Sequence, residues 1–161
     1  MTRRDFVFRA LLAFVLTGCS KDDNEEWEKP NPPANCKIVC LGAKLCCSRG
    51  LAYSNLMVVD PMRPLYNGTL QANIMDNVPM VNIMPFGLCQ SMSNPAVAAA
   101  TAAAMGVLTP QPCQPAIAAP WSPGGSELIA NKPALMDNAK LMCNWNGQIS
   151  IEDPGSLPEI S

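Results

Sequence analysis

Eight cysteines stand in a chain of 161 residues that contains no histidine, and this combination limits the sequence more than any other feature. So many thiols exceed what core packing uses, so they require disulfides or a bound metal. The absence of histidine removes the commonest general base, the Ser-His-Asp and Cys-His nucleophile pairs, and every histidine-containing metal site. Asp76, Glu127 and Asp137 are isolated carboxylates that read as turn or surface residues. No catalytic constellation remains, so the expectation is a protein that is not an enzyme and takes no small-molecule substrate. Net charge is −2 with no basic cluster after the N-terminal segment, which argues against a nucleic-acid partner.

Residues 1–18 read as an export signal. Arg3 and Arg4 precede an apolar run at 10–16, and Leu16-Thr17-Gly18-Cys19 follows. The run is too short to span a bilayer, which needs about 20 apolar residues. Arg3-Arg4-Asp5-Phe6-Val7 resembles a twin-arginine signal, the kind that exports folded proteins. Leu-Thr-Gly-Cys resembles the bacterial lipobox, which implies cleavage before Cys19 and acylation of its thiol. The competing reading is an apolar N-terminal helix with a buried cysteine. Residues 19–35 are acidic and then proline-rich, a tether that buries no apolar surface. Lys21-Asp22-Asp23 also resembles a surface-export signal of outer-membrane lipoproteins. The expected location is therefore the cell envelope, lipid-anchored at the outer membrane or the cell surface.

A single domain is expected over 36–155, with a short tail at 156–161. Sixteen prolines and ten glycines favour turns over long helices, and apolar stretches alternate with turn residues. Strands are expected at 37–41, 55–59, 70–75, 80–84, 128–130, 139–142 and 148–151, with turns at Asp60-Pro61, Asn67-Gly68 and Pro123-Gly124-Gly125. The fold class is mainly all-β, built of short hairpins. One Ala-rich helix is expected between Asn94 at its N-cap, with Pro95 in the first turn, and Gly106 at its stop. Ten methionines and many small aliphatics must fill the core, because aromatic content is only 6%.

Ala43-Lys44-Leu45-Cys46-Cys47 returns as Ala139-Lys140-Leu141-Met142-Cys143. Asn77-x-Pro79 and Asn131-x-Pro133 each stand twelve residues before a cysteine, Cys89 and Cys143. These matches suggest related hairpins that deliver cysteines to one place, in a fold with approximate internal symmetry. Cys47, Cys89 and Cys143 are thereby singled out, and Cys113 in its proline-flanked loop is the natural fourth. Four thiolates from four distant segments can hold zinc in a closed, structural site. Two disulfides among the four, as expected outside the cytoplasm, and simply buried thiols are the alternatives. Cys36, Cys40 and Cys46 form a second group, read as a local disulfide or buried thiols. Vicinal Cys46 and Cys47 should face opposite sides of a strand, so only Cys47 joins the central group.

A longer series of motifs runs through the domain in order. Gly42 to Gly50 contains the Cys46-Cys47 pair, and Pro85-Phe86-Gly87-Leu88-Cys89-Gln90-Ser91 follows. Next come Asn94-Pro95-Ala96-Val97, Pro112-Cys113-Gln114-Pro115 with Trp121-Ser122-Pro123-Gly124, Pro133-Ala134-Leu135, and Leu141-Met142-Cys143 before Asn146-Gly147-Gln148-Ile149. Together these resemble the four-cysteine PAAR-like family of contractile injection systems, such as type VI secretion. The resemblance covers about residues 37–153. It implies a compact, conical β-fold that sits on a trimeric spike protein and sharpens its tip. The four cysteines matching the pattern are Cys47, Cys89, Cys113 and Cys143. Related PAAR domains hold an apical metal mainly through histidine, and here only cysteine could take that part. Two departures stand out: spike tips normally carry no signal peptide, and the usual Gly-Gly before the last strand is Asn146-Gly147 here. The alternatives for function are thus a spike tip and an envelope lipoprotein that uses the same fold as an adaptor.

Overall fold

The structure is a computed structural model and describes residues 36–155. The signal segment 1–18, Cys19 with the tether to residue 35, and the tail 156–161 lie outside the described residues. In chain order the elements are β1 (Lys44–Cys47), β2 (Ser54–Asn55), β3 (Leu65–Tyr66), β4 (Thr69–Leu70) and β5 (Leu88–Cys89). Then follow α1 (Pro95–Ala103), β6 (Gln111–Pro112), β7 (Ser122–Ile129), β8 (Lys132–Cys143) and β9 (Gly147–Asp153). Five strands form one antiparallel sheet in the order β2-β1-β9-β8-β7, and β3-β4 and β5-β6 form two small ribbons.

The last third of the chain builds the sheet because its polarity alternates and its turns are left-handed where they must be. Ala139, Leu141 and Cys143 of β8, with Ile149 and Ile151 of β9, face the core, whereas Gln148 and Met142 face out. Ala130 and Asn131 both have positive φ, 51° and 59°, the pairing that a two-residue turn between twisted strands requires. Asn67 (φ 48°) and Gly68 (φ 82°) do the same for β3 and β4, as their sequence suggested. The core joins these side chains to Val39, Leu45, Leu56, Ile83, Phe86 and Trp121, all essentially buried.

The fold is mainly β with one short helix, as expected, but several boundaries differ. Residues 37–41 make only isolated bridges, Ile38 to Met136 and Cys40 to Gln71. Residues 80–84 likewise contribute only Ile83, bridged to Leu56 and Pro79. Residues 55–59 reduce to the end of β2, and 70–75 to the end of β4 with bridges at Gln71 and Asn73. Apolar alternation there reflects burial in turns, whose backbone groups bond to single partners and not to continuous ladders. Conversely, β7 begins at Ser122, well before 128, and absorbs Pro123-Gly124-Gly125, expected as a turn. β7 is an edge strand with register irregularities on both sides of Gly124, and an edge tolerates a residue without an amide proton.

The helix is capped as its sequence suggested. The Asn94 side chain accepts a hydrogen bond from the Ala96 amide at 3.0 Å, and Pro95 opens the first turn. Val97 and Thr101 form its buried face. Gly106 (φ 89°) turns the chain out of the helix while its N–H donates to the Thr101 carbonyl at 2.9 Å.

Candidate functional site

Four cysteines from four segments line one small cavity: Cys47, Cys89, Cys113 and Cys143. Its volume is about 10 Å³, room for the centre of one water-sized body, and Phe86, Pro115, Trp145 and Ile149 complete the wall. All four cysteines are buried, between 3% and 8% exposed, and none of the four is disulfide-bonded. The structure thus brings these four cysteines to one cavity as thiols.

Two of the four come from the large sheet. Cys47 ends β1 opposite Ile149, and Cys143 ends β8 opposite Gly147. Gly147 is what lets them meet: a Cβ there would lie 2.8 Å from the Cys47 sulfur and 3.6 Å from the Cys143 Cβ. Asn146 just before it has φ 58°, a left-handed conformation that Asn tolerates better than most residues, so the departure from Gly-Gly leaves the turn intact. The other two come from the β5-β6 ribbon and the residue that follows it. Cys89 bridges Gly50 and pairs with Gln111, and the Cys113 amide donates to the Gly87 carbonyl at 2.8 Å. Gly50 permits that approach, since a Cβ there would fall 2.4 Å from the Cβ of Phe86.

Ribbon and sheet are tied at the rim. The Trp145 indole donates to the Gln114 carbonyl at 3.0 Å, and the Ser91 hydroxyl donates to the Trp145 carbonyl. The Asn146 side-chain amide donates to the Ser93 hydroxyl at 2.8 Å. Gly50, Gly147 and Trp145 were not singled out as site residues by sequence. The signal for Gly147 was present, because this glycine stands in the turn only four residues after Cys143.

Burial pushes the Cys47 thiol up from 9.0 to about 11; Arg49 and Gly50 backbone N–H groups pull it down, and neighbouring Cys143 and Cys113 push it further up. Burial likewise raises Cys113, opposed by the Phe86 backbone and reinforced by Cys89 and Cys143. Burial thus biases Cys47 and Cys113 toward the protonated, less nucleophilic form. Cys40 is fully buried elsewhere, its thiol also raised by burial. Cys46 is buried and disulfide-bonded and does not line the cavity, so of the vicinal pair only Cys47 reaches it.

As donors, four sulfurs around a space for one ion suit a soft, tetrahedral cation. Among the described residues, however, no three Cys, His, Asp or Glu side chains close to metal-holding range in the thiol form. The fit lies in the donor chemistry and the cavity, and ligand binding would require the thiols to close in. Of the isolated carboxylates, Asp76 is no surface residue: it is 5% exposed and takes both Arg63 guanidinium nitrogens, at 3.1 and 3.2 Å. No helix of the described residues is long and apolar enough to cross a membrane.

The chain is thus a cysteine-organised β-domain with a glycine-permitted thiol cluster between its sheet and a ribbon. Residues 39–156 match the family described as a domain of unknown function (DUF4280), and the chain belongs to that family. No curated protein and no solved structure matches it.

Proposed function

We propose that this domain is a non-enzymatic, PAAR-like tip that caps the blunt end of a trimeric spike protein in a contractile injection system. The observation that carries the reading is the four-thiol cavity, formed by the cysteines that the ordered motif series selects. A compact mainly-β unit with buried thiols suits a mechanical cap better than a reactive centre. Contact with a spike would use exposed backbone edges and apolar side chains, where strand addition and packing supply affinity. Co-purification with a trimeric spike encoded in the same genome tests this, with one domain per trimer expected. Failure to bind any encoded spike, or the absence of spike genes, sinks it.

The same proposal gives the cavity a structural zinc, held by Cys47, Cys89, Cys113 and Cys143. Bound there, zinc would cross-link ribbon and sheet and supply folding energy, with no open position for a water. Metal analysis should return about one zinc per chain. No metal, with the four thiols unreactive after unfolding without reductant, would instead assign two disulfides.

The lipobox favours a second reading, an envelope lipoprotein that uses the fold as an adaptor. In both readings Cys19 is acylated, and Cys19→Ser abolishes fatty-acid labelling and membrane attachment. A wild-type chain that stays unlabelled and uncleaved overturns that assignment. A tip that leaves with its spike and a domain held by lipid place the protein differently. Fractionation of the spike-bound form separates them.

A further inference from the structure

From residue 77 to residue 126 the chain contains no Asp, Glu, Lys or Arg. In the middle of this stretch α1 ends in a small apolar tip. Met105 is 98% exposed, Val107 68% and Leu108 47%, and on the helix itself Ala96, Ala99, Ala102 and Ala103 are exposed too. A tip of this composition facing water is unfavourable unless something covers it.

Much of the backbone at the tip bonds within the tip itself. The amides of Ala104, Met105, Gly106 and Val107 donate to the carbonyls of Ala100, Ala102, Thr101 and Ala104, at 2.9–3.2 Å. The Thr109 amide donates to the Thr101 hydroxyl at 3.1 Å, and the Thr109 hydroxyl donates to the Val107 carbonyl at 2.9 Å. Helix ends normally leave polar groups for water to satisfy. Here four consecutive amides and the carbonyls of Ala100, Thr101, Ala102, Ala104 and Val107 are already paired, which lowers the cost of leaving water. Protein interfaces, by contrast, concentrate their energy in Trp, Tyr and Arg, and residues 77–120 contain none of the three.

We propose that the tip at residues 104–108 inserts into the acyl-chain boundary of a lipid bilayer. The proposal rests in part on the lipid anchor at Cys19. The chain from 19 to 35 reaches at most about 60 Å when extended, so an anchored domain stays close to the bilayer surface. The acyl group holds the protein there; the tip fixes which side of the domain faces the lipid.

The test uses the full chain after signal removal, with its acyl group, reconstituted into neutral phosphatidylcholine vesicles and carrying Met105→Trp. The difference in fluorescence from wild type isolates the added indole from Trp27, Trp121 and Trp145. The expected result is a shift to shorter wavelength and at least threefold quenching by lipids brominated in their acyl chains. Adding Val107→Asp should abolish the quenching while the chain still floats with the vesicles. Floating with an unquenched, water-like indole overturns the inference. A chain that does not float overturns the lipid anchor instead, and the same difference signal at saturating vesicle concentration then decides the tip. An indole shielded from soluble acrylamide in a concentration-dependent way without lipid would assign the face to self-association, and the lipid reading falls.

Discussion

Residues 77–89 and 131–143 each run from an Asn-x-Pro to a cysteine over the same length, and both cysteines reach the same cavity. Their paths have nothing else in common. From Lys132 to Cys143 the chain is one strand, paired with β7 on one side and β9 on the other. From 77 to 89 it coils: the Val78 carbonyl accepts from the amides of Val81, Asn82 and Ile83, and only Leu88–Cys89 is strand. Asn131 makes a two-residue left-handed turn, whereas Asn77 donates through its side chain to the Ala119 carbonyl at 2.9 Å. The likeness that the Asn-x-Pro repeat suggested is absent from the backbone of these two segments. The comparison teaches that the cavity fixes where the two segments end and leaves open how they get there. One half of the domain is held by a ladder with apolar backing, the other by individual polar contacts at its turns.

If so, the irregular half should be the more sensitive to loss of a single polar side chain. Arg63 is the largest such case. Its side chain is only 10% exposed, donates to Asp60 at 3.2 Å and grips buried Asp76, which also accepts from the Asn73 amide at 2.8 Å. Burial raises the Asp76 pKa, while the Asn73 amide and the Arg63 charge hold it down. Arg63→Ala leaves that carboxylate unpaired and should destabilise by about 3–5 kcal/mol in urea unfolding. A loss below about 1 kcal/mol would mean that the loops are held by apolar burial after all, and the contrast between the halves would collapse.

Gly147→Ala probes the join. A methyl group 2.8 Å from the Cys47 sulfur forces β1 and β9 apart or moves the thiol. The expected cost is about 1–3 kcal/mol. Unchanged stability would show that the sheet yields here more than its ladder implies. A smaller effect belongs to the ribbon's helical excursion. Asn94→Ala removes the cap on the Ala96 amide and should lower stability by about 1 kcal/mol. Hydrogen exchange should quicken in 95–103 without change in β8 and β9. Equal change in both would make the two halves one cooperative unit.

What was legible in the sequence follows the same division. The cap and stop of α1, the Asn67-Gly68 turn, the end of β8 and most of β9 could be read because each depends on residues next to one another in the chain. The four cysteines could be grouped because spacing and the motif series marked their ends. The strands expected at 37–41 and 80–84 failed because apolar alternation marks burial, and here burial comes with turns. Pro123-Gly124-Gly125 misled for the opposite reason: edge position in the sheet, invisible locally, makes such residues acceptable in β7. Arg63 and Asp76, thirteen residues apart, gave no local sign of their pairing.

The smallest expected effect is also the one that separates the chemical states of the cavity. In the reduced, metal-free protein Cys47 is raised from 9.0 to about 11, chiefly by burial, and Cys113 is raised for the same reason. The folded state therefore disfavours thiolate relative to the unfolded chain. This contribution is fully present below the unfolded value of 9.0 and is lost as pH rises through about 11. Between about pH 6 and 9 these thiols should leave the urea midpoint unchanged, and above that range it should fall. Zinc reverses the sign, because its ligands must be deprotonated and acid competes with the metal. The loaded protein should be most stable at neutral pH and weaken as pH falls, most visibly in exchange of the β5-β6 ribbon. Two disulfides would give neither slope, since a bonded sulfur does not titrate. Urea midpoints against pH, measured with and without chelator, therefore distinguish three states of one cavity. A chelator-insensitive curve with no alkaline loss would exclude both thiol forms.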